Sequence, residues 1–241
     1  MQFLPIKTRP INPPKDDLMQ IIDEYITEIK DSDIIFITSK VVAIGEGNCV
    51  KNDSKISKKD LVFKDADNYL KKDVVPGRDI YLTIKNNILI PSAGIDESNA
   101  NGYFILWPKD LKGFSKKLHY FLCKKFNVKN LGIVITDSTT RPLKWGVSGI
   151  GIYSYGFKPL IDKRGQKDIF GKNLEITQIN VLDAITPMAV YLMGEGSETT
   201  PILVARDIPN IVYDTDETLY DKMLISPEMD LYGELLKPLI K

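Results

Sequence analysis

Histidine and cysteine are nearly missing from this chain: its 241 residues include one His and two Cys. A single imidazole, His119, excludes zinc hydrolase sites of the HExxH kind, which need two. Cys49 and Cys123 form neither a CxxC pair nor a disulfide framework, a usage that suits a reducing compartment. Net charge is missing too. The 32 Lys and Arg balance the 32 Asp and Glu, which argues against a protein that coats nucleic acid. No apolar run approaches the roughly 18 residues of a membrane span, and no signal-peptide pattern opens the chain. The expectation is a soluble, cytoplasmic protein without nucleic-acid or membrane partners. Any metal must be held mostly by oxygen, which makes Mg²⁺ or Mn²⁺ the default.

Familiar catalytic motifs are absent as well. There is no GxxxxGK[ST] loop and no GxGxxG after a strand, so the usual phosphate cradles are not available. A Ser-His-Asp triad would have to recruit His119, which sits in the lysine-rich stretch KKLHYFLCKK and reads as a surface or packing residue.

What is present is a globular composition, 43% hydrophobic and 27% charged. Helical spacing of apolar residues predicts helices over Asp16–Lys30, Leu111–Phe126 and Asn180–Met193, and a weaker one around Leu61–Leu70. Short apolar runs predict strands at Ile34–Ile37, Val41–Ile44, Tyr103–Leu106, Leu131–Ile135, Gly149–Tyr153 and Ile202–Ala205. Ile80–Ile84 and Ile88–Ile90 flank Asn86-Asn87, a hairpin signal. With no repeat and no dividing linker, the reading is one α+β (mixed α/β) domain over residues 1–241.

Three polar clusters follow apolar elements. Ser92-Ala93-Gly94-Ile95-Asp96-Glu97-Ser98-Asn99 offers carboxylates and an amide beside a glycine; it can hold a hard cation or a phosphate ester, or be an ordinary turn. Thr136-Asp137-Ser138-Thr139-Thr140-Arg141-Pro142 places an Asp at a strand end before hydroxyls and an Arg. That is a metal ligand and a phosphate counter-charge in one reading, and a cap or a structural Asp–Arg pair in the other. Met193-Gly194-Glu195-Gly196-Ser197-Glu198-Thr199-Thr200 is either a glycine-flanked acid beside a nucleotide or a helix C-cap.

Taken in order, these clusters resemble the coenzyme F-420:L-glutamate ligase family. The resemblance includes Pro5-Ile6, Asp16-Asp17-Leu18, Thr38-Ser39-Lys40, Glu46-Gly47, Asp162-Lys163-Arg164-Gly165 with Asp168, and Met193-Gly194-Glu195. Its specific part is the AGxDxSN and ITDSxxRP pair, about forty residues apart. The family joins glutamate to a cofactor carboxylate with GTP and divalent metal. By position, the resemblance implies one Mg²⁺ or Mn²⁺ at Asp96 and Asp137 and a second at Ser138 and Glu195. It implies that Arg9, Pro10, Ile11, Asn12, Ser39, Lys40, Asn99, Met193, Gly194, Gly196, Ser197 and Thr200 surround GTP, or ATP in its place. Arg141 and Lys144 are the candidate catalytic cations. The implied fold is a mixed α/β arrangement, and the implied assembly a homodimer.

The chain departs from the family pattern at three points. Ile44 stands where the family carries a basic residue, Leu143 where an aromatic follows Arg-Pro, and Trp145 before the next glycine. This resembles a divergent branch of folate gamma-glutamate ligase type, so the implied acceptors are a deazaflavin or tetrahydrofolate, with L-glutamate the second substrate. Two further readings are a non-catalytic nucleotide- or cofactor-binding relative and a metal-dependent phosphohydrolase.

Overall fold

The computed structural model describes residues 1–53, 55–73, 77, 78 and 80–239. In chain order the elements are β1 (Gln2–Ile6), α1 (Leu18–Tyr25), β2 (Asp33–Thr38), α2 (Ser39–Glu46), β3 (Cys49–Lys51), α3 (Lys58–Asp65), β4 (Asn68–Asp73), β5 (Tyr81–Lys85) and β6 (Ile88–Pro91). There follow β7 (Tyr103–Ile105), α4 (Leu111–Phe126), β8 (Leu131–Thr140), β9 (Val147–Tyr155), β10 (Leu160–Asp162), β11 (Gln178–Asn180), α5 (Val181–Met193), β12 (Ile202–Arg206) and α6 (Gly233–Leu236). The result is the α+β fold expected from the pattern.

Five strands form the central sheet in the order β1-β12-β2-β8-β9. Only β2 and β8 run parallel, with Asp33 opposite Leu131 and Thr38 opposite Thr136. Their paired cores, Ile34–Ile37 and Leu131–Ile135, are buried apolar runs, as expected of strands covered on both faces. Pro5 is tolerated because β1 is an edge strand. A smaller sheet, β4-β5-β6, carries its own apolar cluster of Leu61, Val62, Tyr81, Ala93, Ile95 and Phe104. Its tight turn at Asn86-Asn87 has φ of 49° and 61°, the paired positive values a type I′ hairpin demands.

The end of the sheet away from the site is tied by a fork. Arg206 Nε and Nη2 donate to the two carboxylate oxygens of fully buried Asp33, each at 2.9 Å. Glycine sets the packing of α5 on β9. A Cβ at Gly151 would lie 2.4 Å from Leu182 Cγ, and one at Gly149 would lie 2.6 Å from Val190. That close approach fixes where α5 ends, at Met193, just before Gly194-Glu195. No helix among the described residues is long and apolar enough to cross a membrane.

Four expectations need correction. Val41–Ile44 is not a strand but the middle of α2, which Gly47 ends in the left-handed conformation at φ 72°. A four-residue apolar run cannot by itself distinguish strand from buried helix. The β8 strand, in turn, does not stop at Ile135. It continues to Thr140, so Asp137 and Ser138 lie on a strand and not in a following loop. The helix expected over Asp16–Lys30 is shorter, and α3 ends at Asp65, before a strand.

Candidate functional site

At the carboxyl ends of the parallel pair, β2 stops at Thr38 while β8 runs on, which leaves one edge of β8 open. A cavity of about 480 Å³ occupies this opening, the place where ligands bind in open α/β sheets. Beside it the β8–β9 pairing slips by one residue, Ile135 opposing Tyr153 but Thr136 opposing Gly151. Bulges of this kind re-aim side chains next to sites.

The Asp137 carboxylate accepts the indole N–H of Trp107, the Ser39 hydroxyl and, at 2.8 Å, the Ser138 N–H. Burial pushes its pKa up to about 6 despite these donors, and the charge of Asp96 adds to the rise. Ser138, the next residue on the strand, also lines the cavity and hydrogen-bonds Glu195. Burial also raises Glu195; Lys40 opposes the rise, while the charges of Asp96 and Glu198 add to it.

Asp96 reaches the cavity from a left-handed turn. Ser92, Ala93 and Gly94 have φ of 51°, 54° and 70°, a conformation that costs non-glycine residues roughly 1–2 kcal/mol each. Buried Thr83 offsets part of this cost by accepting the Ala93 N–H at 2.8 Å. Lys40, in the first turn of α2, puts Nζ 2.7 Å from Asp96 Oδ2 and also donates to the Ser98 carbonyl at 2.9 Å. Burial pushes Asp96 up, but Lys40 and the two hydrogen bonds from Ser98 hold it below the usual carboxylate range.

The remaining walls are two segments stitched to the sheet. Residues 8–13 are held by Arg9, whose guanidinium grips Asp16 in a fork at 2.7 and 2.8 Å. The loop after α5 is anchored where Thr8 N–H donates to the Thr199 carbonyl and Thr38 N–H to the Pro201 carbonyl. Gly194, at φ 81°, has no room for a side chain, since a Cβ would sit 2.4 Å from Glu198 Cδ. Asn99 Nδ2 donates to the Gly196 carbonyl at 2.7 Å and so joins the Asp96 turn to this loop.

The cavity therefore gathers Asp96, Asp137, Ser138, Glu195, Arg9, Pro10, Ile11, Asn12, Ser39, Lys40, Asn99, Met193, Gly194, Gly196, Ser197 and Thr200 in its lining. Arg141 and Lys144 do not line it. They are exposed on the β8–β9 turn, beside Leu143 and Trp145, whose side chains stand fully in solvent. Asp162 and Arg164 pair with each other on the exposed β10–β11 ribbon, and Glu46 accepts the N–H groups of Lys109 and Asp110; neither group lines the cavity. Glu97 pairs with Lys58 instead of lining it. His119 packs edge-on against Tyr155 on α4, and burial lowers its pKa, in keeping with a packing role. Trp107 is absent from the sequence expectation. An aromatic at the end of an apolar run carries no signal beyond burial.

Four acids, Asp96, Asp137, Glu195 and Glu198, share the cavity with Lys40, which is committed to Asp96. Among the described residues, however, no three His, Cys, Asp or Glu side chains form a ready-made metal cage. One or two carboxylates completed by water and phosphate oxygens is the ordinary manner of binding Mg²⁺.

The F420-0:Gamma-glutamyl ligase family model matches residues 5–207. Named relatives include the Coenzyme F420:L-glutamate ligase of Methanosarcina barkeri, 31% identical over 239 residues that cover 94% of this chain and 92% of the relative. The protein of the same name from Methanosarcina acetivorans is 33% identical over 208 residues, covering 80% of each. That from Methanocaldococcus jannaschii is 30% identical over 203 residues, covering 79% of this chain and 80% of the relative.

Proposed function

As a member of the F420-0:gamma-glutamyl ligase family the chain is an acid–amino-acid ligase, and we propose that it adds L-glutamate to the carboxylate of a deazaflavin cofactor at the expense of GTP, through an acyl phosphate. The observation that carries this reading is the convergence of Asp96, Asp137, Ser138 and Glu195 from three separate chain segments on one cavity. All four come from the clusters that also carry the family resemblance.

A carboxylate is a poor acyl donor. In the proposed reaction an acceptor oxygen attacks the γ-phosphorus and the nucleoside diphosphate leaves. The glutamate amine then attacks the acyl carbon, loses a proton and expels inorganic phosphate. Positioning and charge neutralisation supply most of what phosphoryl transfer needs. Lys40 and Arg9 are the cavity's cations, and Ser39, Asn99 and the backbone around Gly194 and Gly196 are its hydrogen-bonding groups.

The donor set fits a divalent cation. Asp137 is a partly buried carboxylate with no side-chain cation bonded to it among the described residues, and Glu195 is raised by its surroundings; a cation between such acids removes the cost of burying their charge. Asp96 with Asp137, and Ser138 with Glu195, would hold two Mg²⁺ or Mn²⁺ ions. Bound there, the metal would shield the phosphate oxygens and the charge developing in transfer. Arg141 and Lys144 are assigned no contact with the nucleotide.

Ile44, buried in the cavity wall, favours keeping a second reading in which tetrahydrofolate is the acceptor. It replaces a basic residue of the family pattern with an apolar surface. ATP in place of GTP belongs to the same comparison. The fully exposed Leu143 and Trp145 support a homodimer, which light scattering of the purified protein tests. The chemistry is tested by incubation with each acceptor, each nucleotide, glutamate and Mn²⁺ or Mg²⁺. Phosphate release without glutamate would favour a phosphohydrolase instead.

A further inference from the structure

Trp107 is 2% exposed and belongs to the main apolar core, yet its indole N–H is spent on Asp137 Oδ2. The residue is held from two other directions. Its carbonyl accepts the buried Asn48 amide at 2.6 Å. Against the indole lies Gly94, in the left-handed conformation at φ 70°, where a Cβ would fall 2.1 Å from Nε1. A glycine is thus required at position 94 for the indole nitrogen to sit where it does, in the same turn that delivers Asp96 to the cavity.

We propose that Trp107 is a positioning residue, which fixes the rotation of the Asp137 carboxylate so that its remaining lone pair faces a divalent cation in the cavity. The inference rests on the reading of Asp137 as a metal ligand. An indole only donates, so it occupies one lone pair of Oδ2 and never competes for the cation. Ser138 N–H does the same at Oδ1, and these two donors, with the Ser39 hydroxyl as a third, fix the plane of the carboxylate. Partners of this kind, one step behind the ligand, are worth ten- to hundredfold in metal affinity. A tryptophan that merely fills space would be replaced by phenylalanine without such a loss.

The experiment is a Mn²⁺ titration followed by electron paramagnetic resonance, on wild type and Trp107→Phe, with circular dichroism to establish that both are folded. The expected result is a Mn²⁺ affinity ten- to hundredfold weaker in the folded variant. An affinity within twofold of wild type overturns the inference while leaving the metal site standing. If wild type takes up no Mn²⁺, the metal reading falls and this inference with it. Should Trp107→Phe not fold, Trp145→Phe decides, because it leaves Trp107 as the sole indole and alters only an exposed turn. Bound Mn²⁺ is expected to quench its emission with the midpoint found by resonance, whereas Mg²⁺ is not. Emission unchanged at saturating Mn²⁺ overturns the inference.

Discussion

Lys40 and Asp96 meet at 2.7 Å across the mouth of the cavity, one from the first turn of α2 and the other from the strand-end turn after β6. Both are partly exposed, so the pair adds little to stability. In the proposed reaction its significance is placement, because it sets a cation among four acids where the phosphate would lie. Lys40→Met is expected to lower kcat by about 10²–10³, the cost of losing one charge-stabilising donor. The melting temperature should move by no more than a few degrees. Steady-state kinetics with saturating Mn²⁺ checks this, and near wild-type turnover counts against the role.

Asp137 carries its charge at a cost in stability. Its folded-state pKa of about 6 lies above its unfolded value of 3.8, so the folded chain binds more protons than the unfolded one between them. Stability from this group therefore falls as pH rises from about 4 to 6 and stays low above that. Asp137→Asn removes the buried charge but turns its amide NH2 against the N–H of Trp107 or Ser138, so the test is the pH dependence of the difference. Metal-free wild type should gain in melting temperature relative to the variant as the pH falls from 8 towards 4. The same variant should bind no Mn²⁺ at the Asp96–Asp137 site. Calorimetry that finds a difference independent of pH across this range contradicts the assignment.

Gly151 holds α5 against β9, and through it the position of Glu195. Gly151→Ala forces a methyl into Leu182 and is expected to cost about 1–3 kcal/mol. That corresponds to a fall in melting temperature of roughly 2–10 °C for a chain of this size. Thermal denaturation reads it directly, and an unshifted midpoint would show that α5 is not held by this contact.

Arg141 and Lys144 stand outside the cavity lining. Replacing both by alanine should leave Mn²⁺ and nucleotide affinities within about twofold of wild type by calorimetry. A tenfold loss would show that the turn folds over the site when ligands bind.

The sequence carried most of this site, for reasons that can be stated residue by residue. Asp96, Asp137 and Glu195 each sit in a polar cluster interrupting apolar pattern, and such interruptions survive without knowledge of the fold. The α4 and α5 helices and the β5–β6 hairpin were legible because periodicity and Asn-Asn chemistry act locally. The α2 helix was not, since Val41–Ile44 is too short to show a period. Neither was β1, a polar-edged strand containing Pro5 that is defined by its pairing with β12. Trp107 stayed hidden because its hydrogen bond to Asp137 exists only once β7 and β8 are brought together. The left-handed turn at Ser92–Gly94 also escaped, as two of its residues have no intrinsic preference for that conformation.

The most direct measurement is mass spectrometry of the acceptor after incubation of the purified protein with GTP, Mn²⁺, L-glutamate and the deazaflavin substrate, with tetrahydrofolate in a parallel reaction. The predicted result is a product heavier by one glutamyl residue with the deazaflavin, formed only when glutamate and metal are both present. No glutamylated product from either acceptor, with GTP or ATP, would contradict it.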